Sequence, residues 1–458
     1  MTKIKTNFKK TLLLILLLPI VIFAVKTVVD LRKSAFYKPA RITVDLSTTF
    51  GNLSPSLWQN IAQGGEQATD MIRPIIPQTR DLQLQLIRID HIFDHFDVYR
   101  PDGNHNFTEL DKIVNSILIS GAIPMFSISY TPIPLSTNGQ VAGEPSNWSQ
   151  WQSLVSALAK RYSLEKNISG IYYEVWNEPD LFGGWHYAKD PNYLTLYTQT
   201  AQAIKNSLPS KNYKIGGPAT TNFYLNWIEA LFKHCSSNNI PLDFISWHQY
   251  DLNIDKYNQN IEKLNKVLTR YPQYFNIERI ITEFGHNSQI DSWYDNKNSG
   301  VHLLSTVTQL SGKIHRLFAF ELIDGPQSRS TLSTGWGIIT HPQNGALLKP
   351  RYHAFTFLNQ LKGQRLNTIG DGSFVTSLST QNGSTTQVLL VNYDPRNSHS
   401  ETFPLTFTAI ANQPHILKST VYMGATNQKI INPPTTTYTE TIYMEPNTAI
   451  LLELTPVK

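Results

Sequence analysis

Between residue 41 and about residue 360 the chain repeats one pattern: a short β-branched or apolar run, a polar or Gly/Pro turn, and a longer helical stretch. Such alternation is typical of α/β proteins built on a parallel sheet. The runs that predict strands are residues 42–46, 86–89, 123–129, 170–176, 214–217, 244–247, 279–282 and 317–322. Eight strands over roughly 310 residues predict a (β/α)8 TIM barrel.

The main alternative to a barrel is a doubly wound parallel sheet. Nucleotide-binding sheets of that kind carry a G-x-G-x-x-G or phosphate-loop sequence after a strand. In this chain no G-x-G-x-x-G follows the first predicted strand, and there is no phosphate loop. We therefore favour the barrel and predict that the protein needs no cofactor.

The pattern changes after Leu361. Alternating runs at 387–392, 415–422 and 448–454 are separated by clusters of Asn, Pro, Gly and Thr, and the helical periodicity ends. These features favour an all-β sandwich. The predicted domains are an N-terminal hydrophobic segment over 1–35, the barrel over 36–361 and the C-terminal β-sandwich over 362–458.

The N-terminal segment predicts export. Four lysines precede an apolar run of fourteen residues, 12–25, which Lys26 ends. As a helix this run covers about 21 Å, short of a bilayer core of about 30 Å, which favours a cleaved signal peptide. Cleavage after Ala24 would place the bulky Ile22 where a small residue is preferred. We therefore predict a signal peptide or, with a slight preference, an uncleaved membrane anchor, and a body that is held at the cell envelope or secreted.

The formal net charge of +5 belongs to the same end of the chain. Residues 1–40 contain eight basic side chains and one acid, a balance of +7 that leaves −2 for the remainder. Nucleic-acid-binding domains are basic. We therefore expect no nucleic-acid partner.

Two of the predicted strands end in glutamate. The fourth runs into EVWNEPD (174–180) and the seventh ends in TEFG (282–285). A barrel brings its strand ends to one face, so Glu178 and Glu283 can approach within about 5.5 Å, the spacing of retaining glycoside hydrolysis. In that chemistry one carboxyl group protonates the leaving oxygen and the other attacks the anomeric carbon. The alternative, two glutamates that cap helices or pair with arginine, does not explain why both contexts occur together.

The same residues carry a resemblance to a known family. EVWNEPD resembles the Asn-Glu-Pro signature of a large clan of retaining β-glycosidases, and TEFG resembles the nucleophile strand of that clan. Within the clan, both the barrel and the trailing β domain resemble glycoside hydrolase family 39, which includes β-xylosidases, α-L-iduronidases and some exopolysaccharide hydrolases. The resemblance implies that Glu178 is the general acid/base, that Glu283 is the nucleophile, and that Asn177 hydrogen-bonds the sugar 2-hydroxyl.

Other strand ends supply supporting residues. Arg88 can keep Glu283 ionised through its charge; the alternative is a surface salt bridge. The sixth strand ends in SWHQY (246–250), similar to the His-x-Tyr element of the clan. The resemblance implies that His248 lines the acid/base side and that Tyr250 donates to the nucleophile. Glu174, on the strand itself, is expected to point into the barrel and pair with a basic residue.

Aromatic residues near strand ends are candidates for sugar platforms, because pyranose faces stack on such rings. We expect Trp185 and Trp336 to be exposed platforms of this kind. The eighth strand reads FAFEL (318–322) and lacks the Trp often found there in the clan. Glu321 adds a third carboxylate, which we expect to contact a sugar hydroxyl or a basic sugar.

The motif HIFDHFD (91–97) suggests a metal site at first sight. His91, Asp94, His95 and Asp97 fit no familiar ligand spacing, and the single cysteine, Cys235, rules out a Cys-rich site. We expect sugar-hydroxyl contacts or helix capping here, and no metal.

Two functions remain open. The favoured one is a retaining glycosidase acting on an oligo- or polysaccharide, either from a chain end or internally. The alternative is a catalytically silent, glycan-binding barrel of the envelope. Silent relatives of enzymes usually lose a catalytic carboxylate, and both are retained here. The predicted partners are a carbohydrate and, if the N-terminal segment is uncleaved, a membrane.

Overall fold

The computed structural model describes residues 37–65, 67–210, 212–326 and 335–457. The predicted signal or anchor over 1–35 lies outside the described residues. Of the helices in the described ranges, none combines the length and the apolar character needed to cross a membrane.

Eight parallel strands close into a barrel, and an α-helix follows each of them along the chain. The strands are β2 (Asn60–Gln63), β3 (Leu86–Ile89), β4 (Ile123–Ile128), β5 (Ile171–Val175), β6 (Tyr213–Thr220), β7 (Phe244–Tyr250), β8 (Glu278–Gly285) and β9 (Arg316–Phe320). The helices are α1 (Ile76–Asp81), α2 (Thr108–Ile119), α3 (Trp148–Ala159), α4 (Tyr193–Ser207), α5 (Leu225–Asn238), α6 (Asp255–Leu268), α7 (Lys297–Leu310) and α8 (Pro350–Leu358). The barrel predicted from the sequence is confirmed.

The prediction that residues 42–46 form the first barrel strand is wrong. They belong to β1 (Ile42–Asn52), which pairs antiparallel with β10 (Gln364–Ile369) and parallel with β13 (Glu401–Thr408) in a separate sheet. Burial alternates along the start of β1, as in a strand with one partly solvated face, whereas barrel strands are covered on both faces. The first barrel strand is β2, which is only four residues long and has polar residues at both ends.

The second sheet has nine strands, in the order β15-β14-β17-β12-β11-β10-β1-β13-β16. Its remaining strands are β11 (Val375–Asn382), β12 (Thr385–Asn392), β14 (His415–Val421), β15 (Thr426–Ile431), β16 (Thr437–Met444) and β17 (Thr448–Pro456). Along β12, Val388 and Leu390 face the core of the sheet, while Leu389 and Val391 join the core of the barrel. The predicted C-terminal β domain is therefore present as a mixed sheet that packs against the barrel.

The interior of the barrel changes from apolar to polar along its axis. One interior layer is apolar and includes Leu86, Tyr172 and Ile280. Successive side chains of a strand alternate in direction, so residues two places further along point inward as well. On β3 and β5 these residues are Arg88 and Glu174, and both are fully buried. The polar layer therefore lies toward the C-terminal ends of the strands, where barrel active sites form.

Candidate active site

Arg88 is at the centre of the polar layer. Its guanidinium donates from Nε to Glu174 at 2.6 Å, from Nη1 to Glu283 at 2.9 Å and from Nη2 to the side-chain oxygen of Asn177 at 2.8 Å. The side chain is fully buried, so its charge needs such pairing. The expected basic partner of Glu174 is thereby identified. The alternative interpretation of Arg88 as a surface salt bridge is wrong.

The turn after β5 directs Glu178 toward the mouth of the barrel. Trp176 and Glu178 have φ angles of 72° and 48°, a left-handed conformation that costs a non-glycine residue roughly 1–2 kcal/mol. The N–H of Glu178 donates to the carbonyl of Ala219 at 2.9 Å, which fixes the turn to the end of β6. Backbone strain of this kind concentrates at functional sites because the surrounding structure must impose it.

An extra residue on β8 directs Glu283 to the same place. The register between β7 and β8 shifts just before His248, which lies opposite Glu283 and leaves Thr282 without a counterpart. Bulges re-aim side chains and are common beside active sites. Glu283 is only 6% exposed and accepts a hydrogen bond from the Tyr250 hydroxyl at 2.8 Å.

His248 lies between the two carboxyl groups. Its Nδ1 is 2.8 Å from Glu178 Oε1 and 3.4 Å from Glu283 Oε2. One oxygen of each carboxyl group and one ring nitrogen of the imidazole all lie within 4.8 Å of one another. Retaining glycosidases hold their carboxyl groups about 5–5.5 Å apart, whereas inverting ones need about 6.5–9.5 Å. One oxygen of each carboxyl group thus lies closer to the other than the spacing of inverting glycosidases.

The charges around Glu283 act in opposite directions. Burial raises the pKa of Glu283 above its ordinary value; His248 and Arg88 lower it, and Glu178 and Asp90 raise it further. Arg88 therefore favours the ionised carboxylate, as expected from the sequence, but the net pKa of Glu283 is still raised because burial is the largest influence. Burial lowers the pKa of His248, yet the negative charges of Glu283 and Glu178 outweigh it, so the net shift of that pKa is upward.

Asp90→Asn is expected to move the acidic limb of the pH–rate profile to lower pH. Asp90 is 7% exposed, and its negative charge raises the pKa of Glu283. Asparagine removes this charge while keeping the shape, so Glu283 becomes ionised at a lower pH. The measurement is kcat/KM for an aryl glycoside as a function of pH, which reports the ionisations of the free enzyme.

Asp97→Asn is the matched control for this prediction. Asp97 lies in the loop after the same strand, but its side chain is 80% exposed and pairs with Arg100. Its replacement is expected to leave the acidic limb in place. If the acidic limb of the Asp90→Asn profile stays at the same pH or moves to higher pH, the electrostatic role given to Asp90 is contradicted.

Trp185 is not the exposed platform that the sequence suggested. It is 1% exposed, and its ring packs edge-on against Trp176 at 5.4 Å. The loop that carries it folds back, because the backbone N–H of Trp185 donates to the carbonyl of Pro179 at 3.1 Å. The indole is thereby turned into the core. Trp336 is partly exposed and packs edge-on against Phe320 at 5.7 Å. Trp336 therefore remains a candidate platform, and Trp185 does not.

Glu321 follows β9 and is fully buried. Its Oε2 accepts hydrogen bonds from the Gln63 side chain at 3.0 Å and from the Gly64 N–H at 3.3 Å. These bonds join the last barrel strand to the first. A contact of Glu321 with a sugar stays a prediction.

The HIFDHFD loop is held by contacts within the protein. His91 Nδ1 is 2.7 Å from an oxygen of Asp94, and the rings of His91 and His95 stack at 4.1 Å. The other oxygen of Asp94 accepts from the N–H of Tyr130 at 3.3 Å, and the Tyr130 hydroxyl accepts from the Asn177 side chain at 2.8 Å. One donor atom from each of His91, Asp94 and His95 lies within 4.8 Å of the others. The loop therefore supports Asn177 through Tyr130, and the absence of a metal stays a prediction.

Sequence reasoning gave no role to Asp90, and it considered Tyr130 only as one of several aromatic residues near strand ends. Asp90 lies two residues after Arg88 and so faces the same side of the strand. Tyr130 lies two residues beyond the end of β4. The alternation along β3 was the signal that could have identified Asp90.

The protein combines a closed (β/α)8 barrel with two glutamates at the ends of its fourth and seventh strands. This combination of a TIM barrel and a carboxyl pair is the kind of site that glycoside hydrolases use. Residues 66–407 match the family model described as glycosyl hydrolases family 39. The chain belongs to this family.

Individual relatives agree with this assignment. Over 320 residues the chain is 26% identical to a beta-xylosidase from Geobacillus stearothermophilus, covering 61% of this chain and 62% of that protein. The match therefore spans less than two thirds of the curated relative. A monomeric beta-xylosidase from Caulobacter crescentus CB15 aligns with a TM-score of 0.76 at 18% identity, covering 92% of this chain and all of that one. A GH39 enzyme from Xanthomonas axonopodis pv. citri aligns with a TM-score of 0.74 at 19% identity, covering 93% and 99% of the two chains. The structural likenesses show the fold.

Proposed function

We propose that the protein is a retaining glycoside hydrolase in which Glu283 is the nucleophile and Glu178 the general acid and base. The placement of the two carboxyl groups within 4.8 Å of each other carries the proposal. Glu283 faces Arg88 and Tyr250, two donors that favour its carboxylate form. Glu178 has a more exposed side chain, at 15%, which suits a group that must contact a leaving group.

In the first step Glu283 attacks the anomeric carbon while Glu178 gives its proton to the glycosidic oxygen. A bond forms between the anomeric carbon and a Glu283 oxygen, and the bond to the leaving oxygen breaks. Esterification removes the negative charge of Glu283, but Arg88 stays neutralised by Glu174, with which it shares a 2.6 Å ion pair.

In the second step Glu178 accepts a proton from water as the water oxygen attacks the same carbon. The bond to Glu283 breaks, and the carboxylate is restored. Each step inverts the anomeric carbon, so the product keeps the configuration of the substrate. His248, within 3.4 Å of both carboxyl groups, holds them in position throughout.

For the substrate, we propose β-D-xylosides of an oligo- or polysaccharide. The curated relative at 26% identity is a beta-xylosidase. Two acidic side chains directly after barrel strands, Asp90 after β3 and Glu321 after β9, are buried near the site. Carboxylates accept hydrogen bonds from sugar hydroxyls and repel a negatively charged sugar. A neutral sugar such as xylose fits these surroundings better than a uronic acid.

The protein is expected to hydrolyse p-nitrophenyl β-D-xylopyranoside with retention, because the carboxyl spacing leaves no room for a water between nucleophile and anomeric carbon. Proton NMR of the anomeric signals, recorded before mutarotation, should show β-xylose first. p-Nitrophenyl β-D-glucuronide is the matched anionic control and should react far more slowly. Release of α-xylose first would contradict the mechanism, and binding of xylosides without hydrolysis would favour the silent glycan-binding barrel.

A further inference from the structure

A cavity of about 690 Å³ lies at the junction of the barrel and the nine-stranded sheet. The barrel contributes residues 252–255, between β7 and the first turn of α6, and the sheet contributes residues 373–374 before β11 and most of 393–399 after β12. The volume is within the range of small-molecule sites. The described residues that line this junction cavity include neither Glu178 nor Glu283, so it is separate from the catalytic carboxyl pair.

Three aromatic rings form one wall of the junction cavity. The rings of Phe374 and His399 stack at 4.2 Å. Tyr37 lies 4.9 Å from His399 and 6.0 Å from Phe374. All three residues line the cavity and are partly exposed. Because sugar rings stack their C–H faces on aromatic side chains, this wall offers a surface on which a sugar can lie.

The loop that carries His399 is held in place by its own hydrogen bonds. One oxygen of Asp394 accepts from the backbone N–H groups of Ser398 at 2.8 Å and His399 at 2.9 Å. The other oxygen accepts from the N–H of Arg396 at 2.9 Å. The His399 ring is in turn bonded to the Glu401 carboxylate at 3.1 Å. A site that is ordered in this way loses little freedom when a ligand binds.

The polar side chains of the junction cavity carry charges of both signs. Arg396 is basic and Asp255 is acidic, and both residues are exposed. Asp394 is buried, and its carboxylate is occupied by the loop N–H groups. Asn253 and Ser373 add an amide and a hydroxyl. A lining of aromatic rings, amide, hydroxyl and balanced charges suits an uncharged ligand with many hydroxyl groups, because each hydroxyl both donates and accepts.

One loop connects the junction cavity to the catalytic site. β7 ends at Tyr250, whose hydroxyl donates to Glu283 at 2.8 Å, and Leu252 lines the cavity. Two residues of chain span about 7 Å at most, so the backbone of Leu252 lies close to that of Tyr250. The Leu252 carbonyl accepts from the hydroxyl of Tyr393 at 2.9 Å, which ties the loop to the sheet. A polymer bound in the cavity is therefore held near the end of a catalytic strand.

We propose that the junction cavity is a second, non-catalytic binding site for a neutral polysaccharide. Phe374 and Tyr37 stack on a sugar ring, and Asn253 and Arg396 hydrogen-bond its hydroxyls. The choice of xylan as this polysaccharide rests on the proposed function. The site serves polymeric substrates, since an aryl xyloside is too small to occupy both sites.

Binding is measured in the Glu283→Gln background, by depletion of the protein on insoluble xylan. Phe374→Ala is expected to raise the Kd for xylan roughly 5- to 10-fold, the worth of one aromatic stacking contact. Ser373→Arg fills the cavity and keeps the aromatic wall, and it is expected to weaken binding by a similar factor. Phe275→Ala is the matched control, because Phe275 is 62% exposed and precedes β8, at the opposite end of the barrel. Thermal unfolding midpoints check that each variant folds.

Turnover separates the junction cavity from the catalytic site. With Glu283 present, Phe374→Ala and Ser373→Arg are expected to keep the wild-type kcat/KM for p-nitrophenyl β-D-xylopyranoside and to lower the initial rate on dilute xylan by the same 5- to 10-fold. Unchanged xylan binding in both variants, or equal losses on the aryl xyloside and on xylan, would overturn the second site. A wild-type protein that binds xylan through Phe374 but cleaves neither substrate would overturn the proposed function and support the second site.

Discussion

Glu283→Gln is expected to reduce kcat/KM for p-nitrophenyl β-D-xylopyranoside on the order of 10⁶-fold, the scale seen when an enzyme loses its nucleophile. The amide of glutamine is neutral and cannot form the covalent intermediate. The loss is expected in kcat as well as in kcat/KM, because the bond to the anomeric carbon forms only as the reaction proceeds. Initial rates at high enzyme concentration measure the residual activity.

The fold is expected to survive this change. Arg88 has two carboxylate partners, and without the charge of Glu283 it keeps the 2.6 Å ion pair with Glu174. The glutamine carbonyl can still accept from Arg88, so the buried guanidinium keeps its donors satisfied. Thermal unfolding should therefore show a midpoint close to that of the wild type.

Glu165→Gln is the matched control for Glu283→Gln. The Glu165 side chain is 58% exposed and pairs with Arg161 on the surface, so its replacement should leave activity unchanged. If the Glu283→Gln protein turned over substrate near the wild-type rate, Glu283 could not be the nucleophile. Loss of activity together with loss of the cooperative unfolding transition would show a structural role instead.

The sequence predicts the glutamate pair because, in a (β/α)8 barrel, the number of a strand along the chain fixes where that strand lies around the barrel. Seven of the eight predicted strands coincide with barrel strands, since buried parallel strands are recognisable as continuous apolar runs. Once the strands are counted, the residues at the ends of the fourth and seventh must face each other across the barrel. The close approach of the two carboxyl groups, with one oxygen of each within 4.8 Å of the other, follows from that arrangement together with the extra residue on β8.

The first strand could not be located in the same way. Residues 42–46 read as a good strand, whereas Asn60–Gln63 is short and has Asn and Gln at its ends. The side chain of Asn60 accepts from Arg316 at 3.0 Å, and Gln63 donates to Glu321 at 3.0 Å. These two partners lie about 250 residues later in the chain. The sequence around β2 alone therefore cannot show that its polar end residues have hydrogen-bond partners.

The exposed fraction of each side chain also could not be predicted from the sequence. Trp185 follows two glycines and looked like a loop aromatic, but its 1% exposure results from packing on Trp176. The charge of Arg88 predicted an ionised Glu283, yet the net pKa of Glu283 is raised because burial outweighs the favourable charges. Both outcomes depend on how completely water is excluded, which is a property of the whole fold.

Replacing Glu178 with alanine is expected to separate the two steps of the reaction. Xylotriose has a poor leaving group that needs protonation, so its kcat/KM should fall roughly 10³-fold, within the usual range for a general acid. 2,4-Dinitrophenyl β-D-xylopyranoside has a leaving group that needs little help, so its first step should remain fast. The second step still lacks a general base, and the xylosyl-enzyme should accumulate as a burst of dinitrophenol and as an increased protein mass.

Azide is expected to restore turnover of the Glu178→Ala protein on the dinitrophenyl substrate and to yield β-D-xylosyl azide. Glu178 lies at the mouth of the barrel with 15% of its side chain exposed, so its removal opens a space that a small anion can enter from solvent. Azide needs no general base, and attack from that side gives the β product because Glu283 occupies the opposite face of the sugar. Equal losses of kcat/KM on both substrates, or no rescue by azide, would show that Glu178 is not the acid and base. Loss of a general acid must slow the substrate whose leaving group needs protonation more than the one whose leaving group does not.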